Sequence, residues 1–158
     1  MKKKTVILGA GNLLMSDDGA GVHALWLLRA DPLPGMKLVD VGTAVLDAVP
    51  HIDGAGMVVI LDAVEGGGAP GDVYVLHPED IRQGGNAASV HSLGLLDSYR
   101  MLCPGKALPP AVIVGVEPAM LGYGTTLSPA VEAALPRMAE AVRSIVERAL
   151  HPAQGVPS

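Results

Sequence analysis

The chain has 158 residues, of which 16 are acidic, 11 are basic and 49% are hydrophobic, and its formal net charge is −5. This composition predicts one compact domain and excludes disordered, coiled-coil and disulfide-stapled proteins. The single cysteine, the absence of any apolar run near the roughly 18 residues of a membrane span, and the acidic balance predict a cytoplasmic protein without membrane insertion or a nucleic-acid partner.

Apolar runs of strand length recur along the chain, and several of them are rich in Val and Ile. They cover residues 5–10, 36–41, 57–64, 72–76 and 111–116. Near-continuous hydrophobicity without polar alternation is typical of strands that are covered on both faces, as in parallel sheets. We therefore expect helices on both faces of the sheet.

Helical patterns alternate with these strands at 19–29, 44–51 and 90–103. A last helix is predicted because apolar residues there share one helical face: Val131, Leu135, Met138, Val142, Ile145 and Ala149. Pro136 falls inside that pattern and is expected to bend the helix or to mark its true start.

The order of elements predicts an α/β fold, a three-layer sandwich with a mostly parallel twisted sheet and helices on both faces. Residues 1–150 are expected to form a single α/β domain, and 151–158 a flexible C-terminal tail.

The glycine-containing segment 8–21 follows a strand and opens a helix, as a dinucleotide-binding fold does. The fingerprint requires a third glycine where Leu14 stands, and Asp17 and Asp18 put negative charge where a pyrophosphate would lie. A nucleotide-binding regulatory module stays an alternative, because Asp40 ends the second strand and could bind a ribose. One of the two adjacent carboxylates is expected to cap the helix, which leaves the other free to face a cleft.

Asp62 lies near the end of the third predicted strand, where the carboxyl ends of parallel strands form a ligand crevice. A buried carboxylate is costly without a partner, so Asp62 is expected to have one or to lie at the open end. Its simpler role would be to tie down the loop at 66–68. His91 begins a predicted helix, with Ser89 as N-cap, where the helix dipole favours the neutral imidazole that ligates metal or acts as a base.

Asp18, Asp62 and His91 can project over one edge of the predicted sheet. Two carboxylates and one imidazole form a plausible open site for a divalent metal, although they select no particular metal. A free-standing metal-dependent amidase is therefore a second alternative. The sequence has neither a Gly-x-Ser-x-Gly elbow nor a His-Glu-x-x-His helix, which disfavours a serine nucleophile and a helical zinc motif.

An ordered set of motifs resembles the hydrogenase maturation proteases, the endopeptidases that trim the nickel-iron hydrogenase large subunit. The similarity runs from about Val6 to the last helix. The motifs are Gly9-Ala10-Gly11-Asn12-Leu13-Leu14-Met15-Ser16-Asp17-Asp18-Gly19-Ala20-Gly21, Asp40-Val41-Gly42-Thr43, Leu61-Asp62-Ala63, Val90-His91-Ser92-Leu93-Gly94, Val114-Gly115-Val116-Glu117-Pro118 and Leu127-Ser128-Pro129-Ala130-Val131.

The resemblance implies an endopeptidase that removes a C-terminal extension from the large-subunit precursor after nickel insertion. The family's metal-contacting residues fall on Asp18, Asp62 and His91. The catalytic candidates are Asp18 and Asp62, which are expected to act either as aspartic-protease carboxylates or with assistance from the substrate's metal. The resemblance also implies no permanently bound cofactor, because nickel is presented by the substrate, although a divalent surrogate can occupy the site. We expect a monomer that acts on the nickel-carrying precursor.

Gly42 and Thr43 are expected to bind substrate or to shape the loop after the second strand. The family commonly has a second glycine soon after this pair, whereas Ala44 and Val45 follow here. A branched residue does not readily adopt positive φ, so this loop is expected to differ from that of its relatives.

Overall fold

The structure is a computed structural model that describes residues 2–82 and 90–152. In these residues, one sheet contains β1 (Thr5–Ala10), β2 (Met36–Gly42), β3 (Met57–Ala63), β4 (Val73–Leu76) and β5 (Ala111–Val116). The strand order is β2-β1-β3-β5-β4; β4 is antiparallel to β5 and the other pairs are parallel. The predicted mostly parallel α/β fold is confirmed.

Five α-helices lie in the described ranges: α1 (Ala20–Ala30), α2 (Val49–Ile52), α3 (Pro78–Arg82), α4 (Val90–Leu102) and α5 (Pro129–Leu150). Short 3₁₀ turns at Ser16–Gly19 and Val45–Ala48 lead into α1 and α2. Across the same two ranges, no helix is long and apolar enough to span a membrane.

The core has two halves, one on each face of the sheet. Ile7 of β1 packs with buried residues of α1 and α5, whereas Val6 and Leu8 pack with buried residues of α2 and α4. Successive side chains of a strand point to opposite faces, so a strand covered twice must be apolar at nearly every position. This explains why the strands show little polar alternation and produces the predicted three layers.

α5 is one helix that begins at Pro129 in its first turn and contains Pro136 in its interior. The expectation that Pro136 marks the start of this helix is wrong, and a bend at Pro136 stays a prediction. The proline side chain is exposed, so water can satisfy the carbonyl group that loses its helical partner. The predicted apolar face is buried apart from the partly buried Leu135 and the exposed Ala149, and Leu150 packs on the core instead.

The segment predicted as a helix at 44–51 forms the 3₁₀ turn followed by the single turn of α2. Pro50 has no N–H to bond the carbonyl of Leu46, and the N–H of Val49 bonds that carbonyl in the tighter 3₁₀ pattern. α3 was missed, although Pro78 followed by two acidic residues is a typical helix start. Ser89 and residues 153–158 lie outside the described residues.

Candidate active site

The three predicted site residues lie along one edge of the sheet. Asp18 is in the 3₁₀ turn after β1, Asp62 is the penultimate residue of β3, and His91 is the second residue of α4. Since β1 and β3 are parallel neighbours, their carboxyl ends meet at the same edge. Gly21 lets α1 start directly on these strand ends, because a Cβ there would collide with the carbonyl oxygens of Ala10 and Leu61.

Asp18 and His91 are in direct contact. The Nε2 atom of His91 lies 3.2 Å from Oδ1 and 3.1 Å from Oδ2 of Asp18. The two side chains remain 22% and 23% exposed, so a substrate can reach both. The N–H of Asn12 donates to Oδ2 of Asp18 at 2.9 Å, which fixes the carboxylate to the glycine-containing loop.

Asp62 is fully buried and faces the first turn of α4. Its Oδ1 accepts the N–H of Ala63 at 2.9 Å, and its Oδ2 accepts the N–H and the hydroxyl of Ser92 at 3.2 and 3.0 Å. The predicted need for a partner is therefore met by the residue that follows His91. These bonds hold the Asp62 carboxylate of β3 against the turn of α4 that carries His91.

The structure thus brings Asp18 and His91 together and connects Asp62 to them through Ser92. In the part of the chain that the structure describes, no group of three or more His, Cys, Asp or Glu side chains is close enough to hold a metal ion. Oδ2 of Asp62 accepts hydrogen bonds from Ser92 in this arrangement.

The loop at 66–68 is tied down by Glu117, not by Asp62. Oε2 of Glu117 accepts the N–H of Gly66 at 2.6 Å and the hydroxyl of Tyr74 at 3.1 Å, and the same Tyr74 oxygen accepts the N–H of Gly68 at 3.0 Å. The simpler role predicted for Asp62 is therefore wrong. The signal that singled out Asp62, a carboxylate at the end of a buried strand, also applies to Glu117 and could have found it.

Asp17 has a structural role that the sequence did not reveal. It is fully buried, and its carboxylate accepts the N–H groups of Ala119 and Met120 at 2.9 Å each. It also accepts the N–H and the hydroxyl of Ser128 at 2.7 and 2.8 Å. Among the described residues, neither the 3₁₀ turn nor α1 has a side-chain cap. The capping prediction is wrong, because the carboxylates of Asp17 and Asp18 accept hydrogen bonds from N–H groups outside the first turn of the helix.

Burial alone would raise the pKa of Asp17, but the hydrogen bonds from Ser128, Met120 and Ala119 outweigh it and hold the pKa below its ordinary value of 3.8. A depressed pKa in the folded state means that this carboxylate stabilises the fold above about pH 4, and that the contribution is lost as the pH falls further.

Asp17→Asn is expected to lower the free energy of unfolding by about 3 kcal/mol at pH 7. The NH₂ group of the asparagine would be buried facing N–H and hydroxyl groups that can only donate to the carboxylate in the wild type. The deficit should shrink at pH 3, because the Asp17 carboxylate of the unfolded wild type, with its ordinary pKa of 3.8, is largely protonated there and the folded wild type loses part of its advantage. Urea unfolding at both pH values measures it. Asp31→Asn is the control, because the side chain of Asp31 is 86% exposed. An equal deficit at the two pH values would contradict the assignment.

The glycine-containing loop is built around Asp18. Gly11 has φ +128°, and a Cβ there would collide with the carbonyl oxygen of Asp18. The N–H of Asn12, which a phosphate would need, is already bonded to the Asp18 carboxylate. The glycines therefore allow a close approach between two parts of the same loop, and this geometry does not favour nucleotide binding.

Gly42 shapes the junction between β2 and this loop. Its φ of +56° suits glycine, and its carbonyl accepts the N–H of Gly11 at 2.9 Å. Thr43 and Ala44 are exposed beside it, and Ala44 has an ordinary φ of −84°. The geometry of Gly42 agrees with the loop-shaping half of its predicted role, and Thr43 is accessible to a substrate.

A carboxylate and an imidazole in contact at an exposed strand edge can move a proton or ligate a metal, both of which serve hydrolysis. A family model described as hydrogenase maturation protease matches residues 27–145. The chain is 35% identical to the hydrogenase expression/formation protein HupM of Azotobacter chroococcum mcd 1 over 150 residues, 90% of this chain and 72% of that protein.

The hydrogenase 2 maturation protease of Escherichia coli K12 is 32% identical over 135 residues, 82% of each chain. The solved structure of the hydrogenase maturating endopeptidase HybD from E. coli superposes with a TM-score of 0.77 at 27% identity, covering 92% of this chain and 93% of that one. The chain belongs to the hydrogenase maturation protease family. It is therefore an endopeptidase, a hydrolase.

Proposed function

We propose that this endopeptidase removes the C-terminal extension of a nickel-iron hydrogenase large-subunit precursor after nickel insertion. Asp18, Asp62 and His91 engage the nickel that the substrate presents. The observation that carries the proposal is the contact of 3.1 Å between Oδ2 of Asp18 and Nε2 of His91 at a substrate-accessible edge. Membership in the maturation protease family supports the choice of substrate.

The donor set suits a divalent first-row metal, because carboxylate and imidazole ligands both bind nickel. To bond Asp18, His91 must carry a proton on Nε2, and a metal bound at that nitrogen would replace this proton. Asp62 would have to exchange its bonds with Ser92 for the metal. The site is thus completed by the substrate, which agrees with nickel acting as a recognition signal.

Hydrolysis requires a base that takes a proton from water, and attack of the resulting hydroxide on the scissile carbonyl carbon. Asp18 is the better base, because its carboxylate is partly exposed while that of Asp62 is buried and bonded to backbone and hydroxyl donors. The proton then passes from Asp18 to the leaving amine as the peptide C–N bond breaks, while His91 holds the Asp18 carboxylate in place. Nickel beside the carbonyl would act as a Lewis acid.

A free-standing metal-dependent amidase is the competing proposal, and the two differ in where the metal resides. Metal analysis of protein purified without chelators separates them. Stoichiometric, tightly held zinc would contradict recognition of nickel on the substrate.

Incubation of the wild-type protein with a purified nickel-loaded precursor from the same cell tests the proposed activity. Intact-mass spectrometry should show a shorter large subunit together with a released C-terminal peptide. A precursor that keeps its full mass in the presence of well-folded enzyme would contradict the proposal.

A further inference from the structure

Large apolar side chains are exposed on two loops at the carboxyl edge of the sheet. Leu14 lies in the loop after β1 and is 63% exposed, while Met120, Leu121 and Tyr123 lie in the loop after β5 and are 60%, 38% and 92% exposed. We call these four side chains the apolar rim. Exposed large apolar residues that occur together mark interaction surfaces more often than isolated ones do.

The backbone under the apolar rim is fixed by hydrogen bonds between the two loops. The N–H of Ser16 donates to the carbonyl of Gly124 at 2.9 Å, and the N–H of Gly124 donates to the carbonyl of Leu14 at 3.0 Å. The hydroxyl of Ser16 donates to the carbonyl of Gly122 at 2.8 Å. Ser16 itself adopts a φ of +50°, which this arrangement holds in place.

Asp17 adds a buried anchor, because its carboxylate accepts the N–H of Met120. The apolar side chains are therefore displayed on a backbone that is held from two sides. A surface of this kind loses little conformational entropy when it binds a partner.

The apolar rim is continuous with the candidate active site. Asp17, which bonds the backbone of Met120, is the immediate neighbour of Asp18 in the same 3₁₀ turn, and Leu14 precedes that turn. The two loops that carry the rim are therefore attached to the turn that carries Asp18.

We propose that the apolar rim docks an apolar surface on the folded body of the precursor, next to the extension that is removed. This inference rests on the proposed function and adds the surface that selects the substrate. Four side chains offer a few hundred Å², well below the roughly 1,200–2,000 Å² of a stable protein–protein interface. That size fits a transient enzyme–substrate contact with a few anchor residues and is too small for a stable dimer of this chain.

The double variant Met120→Gln/Tyr123→Gln tests the proposal. The KM for the nickel-loaded precursor should rise about tenfold, with a much smaller change in kcat, because binding is weakened while Asp18 and His91 stay in place. Tyr123→Gln alone should give part of the effect, and its side chain is too exposed to matter for folding. Met101→Gln is the matched control, because Met101 is 79% exposed at the far end of α4.

Direct binding of the precursor, measured by surface plasmon resonance, separates this proposal from the proposed function. If the wild type binds the precursor without cutting it and the double variant binds less, the docking surface stands and the proposed function fails. Equal KM and equal binding for wild type and double variant would overturn the docking surface. Self-association of the wild type in analytical ultracentrifugation that the double variant abolishes would also overturn it, because the rim would then belong to a second copy.

Discussion

Asp18→Asn and His91→Ala are each expected to reduce the rate constant of precursor cleavage by about 100-fold or more. Asn is close to Asp in shape, so its oxygen can still accept the N–H of Asn12, but it is neither a base nor an anionic metal ligand. His91→Ala removes the only imidazole that contacts Asp18 among the described residues. Single-turnover kinetics followed by intact mass measures both rates.

The two residues should behave as a unit. The double variant Asp18→Asn/His91→Ala is expected to cleave only slightly more slowly than the slower of the two single variants, because either change already breaks the same pair. Asp31→Asn and His77→Ala are controls on exposed residues that lie away from the site, and they should cleave within about twofold of wild type. Wild-type rates for Asp18→Asn or His91→Ala would contradict the catalytic assignment.

Asp62→Asn is expected to abolish cleavage and also to lower the free energy of unfolding by about 2–3 kcal/mol. The stability loss follows because an amide group would bring a donor against the N–H groups of Ala63 and Ser92 in a fully buried place. Urea unfolding and the cleavage assay together measure the two effects.

Ser92→Ala separates the two roles of Asp62. It removes the hydroxyl bond of 3.0 Å but keeps both the carboxylate and the N–H of residue 92. We expect a stability loss of about 1 kcal/mol and cleavage within a few-fold of wild type, because Asp62 remains able to turn toward the metal. If Ser92→Ala were as inactive as Asp62→Asn, Asp62 would act by holding α4 in place, not by contacting nickel.

The fold could be predicted because its signals are local. Each buried strand is apolar at nearly every position, and the elements alternate along the chain in the order that a mostly parallel sheet requires. The shared edge of Asp18 and Asp62 followed from the same pattern, because the carboxyl ends of parallel strands meet at one edge, whereas His91 was placed as the start of the helix after the added strand. Errors in the helix bounds arose at prolines, because Pro50 shortens the helix predicted at 44–51 whereas α5 continues through Pro136.

The finer features of the site depend on contacts between distant parts of the chain. Asp17 bonds residues more than a hundred positions away, so no local pattern distinguishes it from a helix cap. The orientation of Asp62 toward Ser92 depends in the same way on how α4 packs beside β3. The apolar rim is visible only after the two loops are brought together, since its residues come from opposite ends of the sequence.

The comparison of nickel-free and nickel-loaded forms of one precursor tests the central claim most directly. Both forms are incubated with the same amount of wild-type enzyme, and the mass of the large subunit is followed over time. The account predicts that only the nickel-loaded form loses its C-terminal peptide. Cleavage of the two forms at equal rates would contradict recognition of substrate nickel by Asp18, Asp62 and His91.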